Sequence, residues 1–243
     1  MDPDALLYIA KIERADNAAL ESGVKEAINN FVVACKDTKI WDKITFISIM
    51  AGARSLTGAI TCLKGPSNRL NNYNFTLSDY SRKNGFTGDG TSKYFDSGIY
   101  YASSEALNDY HVAVNLTSLD TIGTVSPVWG HGGSIYDSAG THNTRVRSRN
   151  TGDINVGSWA TGVSILSRDN SSNFNWRNNK TTTNYTQASV TTNGASAWRI
   201  LRSASTFSTN VINYFSGGKA ITELPTYDNI ISTLLRDIGR AVN

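Results

Sequence analysis

The feature that most constrains the fold of this chain is a change of hydrophobic period, and it falls across residues 79–98, DYSRKNGFTGDGTSKYFDSG. Before this stretch apolar residues recur at helical spacing among dense charge. After it come short apolar runs separated by Gly, Asn and Ser, with many threonines. Within it, Asn84-Gly85, Gly88-Asp89-Gly90 and Ser97-Gly98 are turn signals around Lys93-Tyr94-Phe95-Asp96, a strand-like run. A period near 3.6 builds one-sided helices and a period of two builds half-buried strands. The sequence therefore predicts helices first and an extensive β region after them.

Asp2-Pro3 is a helix start, an acidic N-cap followed by proline at the first helical position, and predicts a helix over residues 3–14. Leu20, Val24, Ile28, Phe31, Val32 and Cys35 form one stripe of a second helix, with Glu21, Lys25, Glu26 and Asn29 on its other side. Residues 40–50, IWDKITFISIM, fit either period; Trp41, Ile44 and Ile47 suit a helix closed by Gly52, which is the expectation adopted. Ile60–Leu63 reads as the first strand. From Tyr94 onward Val112, Val114 and Leu116 alternate with Ala113 and Asn115. Further strands are predicted at Val125–Trp129, Thr144–Arg149, Gly162–Ser167, Asn173–Trp176, Thr182–Thr186, Trp198–Arg202 and Ile212–Phe215. So many short strands between turns indicate an antiparallel sandwich or barrel, not an α/β sheet. No repeat of fixed period indicates a solenoid or propeller. At the end, Pro225 is expected to stop the preceding segment and Asp228 to cap a helix. Its stripe, Ile230, Ile231, Leu234, Leu235, Ile238 and Val242, must dock on something.

Composition narrows the class. Charged residues are 18% and hydrophobic residues 40%, a globular and not a disordered balance. The net charge of +3 is too small to indicate a nucleic-acid partner. Residues 1–64 carry eight basic and eight acidic side chains, as solvated helix faces do, whereas residues 65–220 carry thirteen and nine. Met1-Asp2-Pro3-Asp4 is acidic where a secretory leader is basic, and no apolar run reaches membrane-spanning length, so neither export nor membrane insertion is expected. Cys35 and Cys62 lie in apolar contexts and read as buried free thiols.

The turns and apolar positions of Asp79–Gly98, the preceding WDKITFISIMAGARSLTGAITCLKG (Trp41 to Gly65) and the closing amphipathic helix resemble a group of tailed-phage virion proteins. In that group a helical N-terminal segment leads into a concanavalin-like β-sandwich. The resemblance implies a mainly β chain: a helical assembly segment over residues 1–64, then an antiparallel, jelly-roll sandwich over residues 65–243 with a docking helix. It also implies a virion structural protein, assembled in the host cytoplasm. The first reading is a tail-fibre or adhesion module touching the host surface, and the alternative is a capsid decoration protein. Its partners would be other virion proteins, copies of itself (a trimer by preference) and a host-surface glycan.

Catalytic constellations are sparse, and no enzyme activity, metal or cofactor is expected. Glycoside hydrolysis needs two carboxylates flanking the scissile bond, and Glu105 is the only glutamate between residues 27 and 222. The spacing of His111, His131 and His142 fits no common zinc pattern; loop aspartates such as Asp137 and Asp153 carry no calcium signature. No G-x-S-x-G elbow or phosphate loop occurs. Arg145, Arg147 and Arg149 alternate, so a strand would put all three on one face, which reads first as a solvated sandwich face or an inter-subunit contact and second as a strip for an acidic partner surface or an anionic glycan. The tryptophans at 129, 159, 176 and 198 border or lie in apolar runs and read by default as core; if one of them is a sugar platform it is Trp176, which has the most polar neighbours.

Overall fold

The computed structural model describes residues 1–100, 107–119, 126–130, 134–138, 143–149, 152–190, 197–203 and 205–243. Strands are numbered in chain order. Among the described residues, the larger of two antiparallel sheets has nine strands. Its main path runs β14 (Thr181–Thr186), β13 (Asn173–Asn178), β12 (Gly162–Arg168), β7 (Tyr110–Ser118), β18 (Val211–Gly218), β1 (Ile44–Ile49) and β2 (Cys62–Lys64). A hairpin of β4 (Tyr80–Ser81) and β5 (Gly85–Thr87) joins it through β18. The smaller sheet runs β11 (Ile154–Ser158), β10 (Asn143–Arg147), β9 (Ser134–Ser138), β8 (Ser126–Gly130), β15 (Ala197–Ile200), β6 (Tyr94–Tyr100) and β3 (Asn71–Tyr73). A short hairpin of β16 (Arg202–Ser203) and β17 (Thr206–Phe207) lies beside it.

The sheets face each other across an aromatic core. Trp198 of β15 meets Phe215 of β18 edge-on at 6.1 Å, and Phe95 of β6 meets Phe86 of β5 at 4.9 Å. Gly217 is glycine for this reason: a Cβ there would collide with the Trp198 ring. The other face of the large sheet is covered by helices α1 (Pro3–Asp16), α2 (Ser22–Asp37) and α4 (Leu224–Ala241), with a one-turn helix α3 (Leu56–Ala59) beside α1. Tyr214 points from β18 into this layer, against Phe31 of α2, and its hydroxyl lies 2.8 Å from that of Tyr227 of α4. The order is thus helices, large sheet, small sheet, which is the mainly β architecture with helices at both ends of the chain that the sequence predicts. No described helix is long and apolar enough to cross a membrane.

Local chemistry explains the helix ends. Asp2 caps α1, its carboxylate accepting from the Asp4 amide at 2.9 Å. The α2 stripe is buried at Val24, Ile28, Phe31, Val32 and Cys35, while Leu20 packs from the preceding turn. The last helix starts earlier than expected. Pro225 lies in its first turn, where a missing N–H costs nothing, and Asp228 is inside the helix. Instead of capping, the buried Asp228 carboxylate binds Arg177 of β13 at 2.8 Å and Lys180 at 2.5 Å, clamping the helix to the sheet.

The helix expected over residues 40–50 is a strand. A single turn at Trp41–Lys43 leads into β1, which pairs with β18 and β2. β1 lies between the helical layer and the small sheet and is buried at five of six positions, so it shows no alternation and its apolar residues fit either period. Residues 1–64 therefore hold two strands of the large sheet as well as α1, α2 and α3.

Candidate functional site

Few of the residues singled out from sequence come together. Trp176 is 4% exposed and its face of β13 is the one that packs between the sheets, so it is no platform. Its polar neighbours misled: Arg177 and Asn178 are polar but buried, satisfied by Asp228 and by Ser164 with the Ala160 carbonyl. Trp159 and Trp198 are also buried, and the side chain of Trp129 lies outside the described residues. The arginine strip shortens to Arg145 and Arg147, half-buried on β10, with Arg147 paired to Asp153 at 3.0 Å. Arg149 lies past the strand in a left-handed conformation (φ 54°), buried over the Tyr110 ring.

His111 is fully buried, its Nδ1–H donating to the Lys219 carbonyl at 2.6 Å. Glu105, His131 and His142 lie outside the described residues, as does the side chain of Asp137. No three His, Cys, Asp or Glu side chains among the described residues converge as metal ligands. Cys35 and Cys62 are free and buried, and burial pushes both thiols up to about 12. The thiolate is the reactive form, so both are inert near neutral pH.

What the structure does assemble is a column of flat groups on the outer face of the small sheet. Phe95 points into the core, so its neighbours Tyr94 and Asp96 point outward. Tyr94 pairs directly with Tyr73 of the edge strand β3, and the rings stack at 4.2 Å and 7°. The Arg202 guanidinium lies over Tyr94 at 4.4 Å and over Phe207, its partner across the β16–β17 hairpin, at 5.0 Å. Arg199 of β15 stands 6.0 Å from the Tyr94 ring. The order Phe207, Arg202, Tyr94, Tyr73 ends at Tyr73, which is 42% exposed and one of the few large apolar side chains left in water.

Two local devices fix the column. Ahead of Tyr94, the Asp89 carboxylate accepts from the amides of Thr91, Ser92 and Lys93 and from the Ser92 hydroxyl. Burial pushes its carboxyl up, but these bonds outweigh that and hold it well below the usual range. Lys93 pairs with Asp79 at 2.7 Å, tying this turn to the one before β4. At the exposed end, the Tyr94 phenol is the main influence raising the pKa of Tyr73, ahead of partial burial and Asp96, so Tyr73 is neutral at neutral pH.

Chemically, such a column can stack one more flat, partly apolar ring on Tyr73 and offer guanidinium donors beside it. It offers no nucleophile activated by a base. Sequence reasoning missed it because its members lie at positions 73, 94, 202 and 207 and meet only in the fold.

No protein-family model and no curated protein sequence matches the chain. Among solved structures, a mutant Trypanosoma rangeli sialidase displaying trans-sialidase activity matches with a TM-score of 0.53 at 12% identity, over 89% of this chain and 38% of that one. Domain 4 of AbnA, a GH43 extracellular arabinanase from Geobacillus stearothermophilus in complex with arabinotriose, matches at 0.43 and 10% identity, over 76% of this chain and 97% of that domain. The chain spans little more than a third of the length of the sialidases it matches. At such identity the sialidase likeness is one of fold, an antiparallel β architecture, and not of activity.

Proposed function

We propose that this protein is a glycan-binding adhesion module on the surface of a phage virion, of tail-fibre type, which binds its ligand without hydrolysing it. The column ending at Tyr73 carries this reading, because an exposed aromatic face backed by a stacked arginine is what a sugar ring needs. Assembly falls to the helical layer, on the opposite side. Four of the six exposed large hydrophobics among the described residues, Met1, Leu6, Leu7 and Val33, lie on or beside α1 and α2. There they would meet other virion proteins or further copies of the chain. The phage assignment itself rests on the resemblance of the turn and helix pattern.

A glycan array probed with the parent chain and with Tyr73→Ala tests the binding. Tyr73 packs at a sheet edge and not in the core, so the variant should fold. Loss of one stacking contact, worth about 1.5 kcal/mol, should weaken retained glycans about tenfold. Equal binding by parent and variant, or no binding to any glycan, overturns the reading. Release of reducing sugar from a bound glycan would overturn its non-enzymatic part. Immunolabelling of purified virions locates the protein on tail or head.

A further inference from the structure

A cleft of about 370 Å³ opens on the helical side of the large sheet, at the opposite side of the molecule from Tyr73. Four elements build it. The β4–β5 turn brings Lys83 and Asn84, the last turns of α4 bring Arg236 and Arg240, and the floor is Asn115 of β7 with Asn213 of β18. The turn is pinned tightly: Arg82 grips Glu21 with both guanidinium nitrogens (2.6 and 3.0 Å), and Gly85, at φ +88°, lies where a Cβ would strike the Ile212 carbonyl. The floor is pinned as well. Asn115 Nδ2 donates to Asn213 Oδ1 at 2.7 Å where the β18 register slips beside Tyr214, and both residues are under a tenth exposed.

Among the described residues, the lining holds three cations and no carboxylate side chain. Asp237 lies just outside it, bonded to Arg236 at 3.0 Å and 3.8 Å from Arg240, and so balances only part of the charge. Lys83 Nζ donates to the Asn243 side chain at 3.2 Å, which leaves it two further donors. Asn115 has spent an N–H on Asn213, and no protein donor reaches its carbonyl oxygen among the described residues. Surface cations on a pinned turn and a helix end, next to an open amide acceptor, match a ligand that carries negative charge and hydroxyl donors together. Inorganic phosphate meets the first requirement fully but the second only through a P–O–H that is lost as it ionises, and neutral sugars meet only the second. No aromatic side chain among the described residues lines the cleft, so ring stacking is not its mode.

We infer that this cleft binds a hydroxylated anion of about one sugar unit, a carboxylated or phosphorylated saccharide. Its volume lies at the lower end of the roughly 300–1,000 Å³ of small-molecule sites. The inference stands apart from the Tyr73 column, with which it shares no residue.

Amide chemical-shift titrations of the full chain with D-glucuronate, glucose 6-phosphate, inorganic phosphate and D-glucose test it. Glucuronate or glucose 6-phosphate should saturate, shifting residues 83, 84, 115, 213 and 240, and which of the two does so identifies the acidic group. Lys83→Ala and Arg240→Ala, both at the surface, should each weaken that binding about fivefold, the loss of one charge-assisted contact. Tyr73→Ala should leave it unchanged. No saturable shift with either acidic sugar overturns the inference. So does glucose or phosphate binding as tightly as the acidic sugars, or indifference to both cationic substitutions.

Discussion

His111 occupies an unusual position for a titratable group: fully buried under Tyr227, with one ring nitrogen bonded to a carbonyl and the other without a protein partner among the described residues. Burial lowers its pKa from 6.5 to about 4, with the Lys219 carbonyl opposing in part. The unfolded chain therefore takes up a proton near pH 6.5 that the native protein refuses until about pH 4. Stability should fall as pH drops through that window, by about 3 kcal/mol in all, and this contribution should level off below it. Urea melts between pH 7.5 and 4.5 on the parent and on His111→Asn should show the slope shrinking in the variant; identical slopes would remove His111 as its source. Single residues were also where sequence reasoning was weakest. The polar run around Trp176 signals solvent, yet Arg177 is polar because it must meet the buried Asp228 carboxylate of a helix fifty residues later. A partner so distant leaves no local trace. The Tyr73 column was invisible for the same reason.

At the scale of elements, the sequence was readable wherever a segment has one wet and one dry face. The α1 cap, the α2 stripe and the alternation through β7 all have that character. It failed at β1, which is dry on both faces, and at the start of α4, where proline initiates instead of stopping. The docking expected of α4 is met within the subunit, against α2 and the large sheet. The position of each apolar residue now separates two substitutions. Leu234 is 1% exposed, and Leu234→Asp, placing an unpaired carboxylate in that contact, should cost about 3 kcal/mol or more. Leu235 is half-buried, and Leu235→Asp should cost distinctly less. Neither should change the oligomeric mass, because the contact is internal. A thermal melt with light scattering reads both, and equal melting temperatures for the two variants would contradict the packing of α4.

For the whole molecule, the helical layer and the sandwich share one core: β1 lies hydrogen-bonded against β18, with Tyr8, Phe31 and Tyr227 packed over that sheet. Removing residues 1–64 would therefore do more than remove two helices from the surface. It would uncover the part of the large sheet that α1 and α2 cover and one ladder of β18. The fragment 65–243 should be insoluble or molten on expression. A soluble fragment with a cooperative melt would show that the sheet does not need β1 and β2, and would leave the helices an assembly role alone.

The place of β18 has a consequence for how the chain comes into being. This strand sits between β7 and β1, holds the β4–β5 hairpin and supplies Phe215 to the core between the sheets, yet it begins only at Val211. While a ribosome makes the preceding two hundred residues, β1 and β7 have no partner between them and their edges stay open. Open edges invite pairing with other chains, and contacts this distant in sequence form slowly. β1, β7 and the β4–β5 hairpin must therefore wait, unlocked, for a segment synthesised well after them. Among identical nascent copies, the interval before Val211 emerges is when a neighbouring chain's strand is most able to take the vacant position.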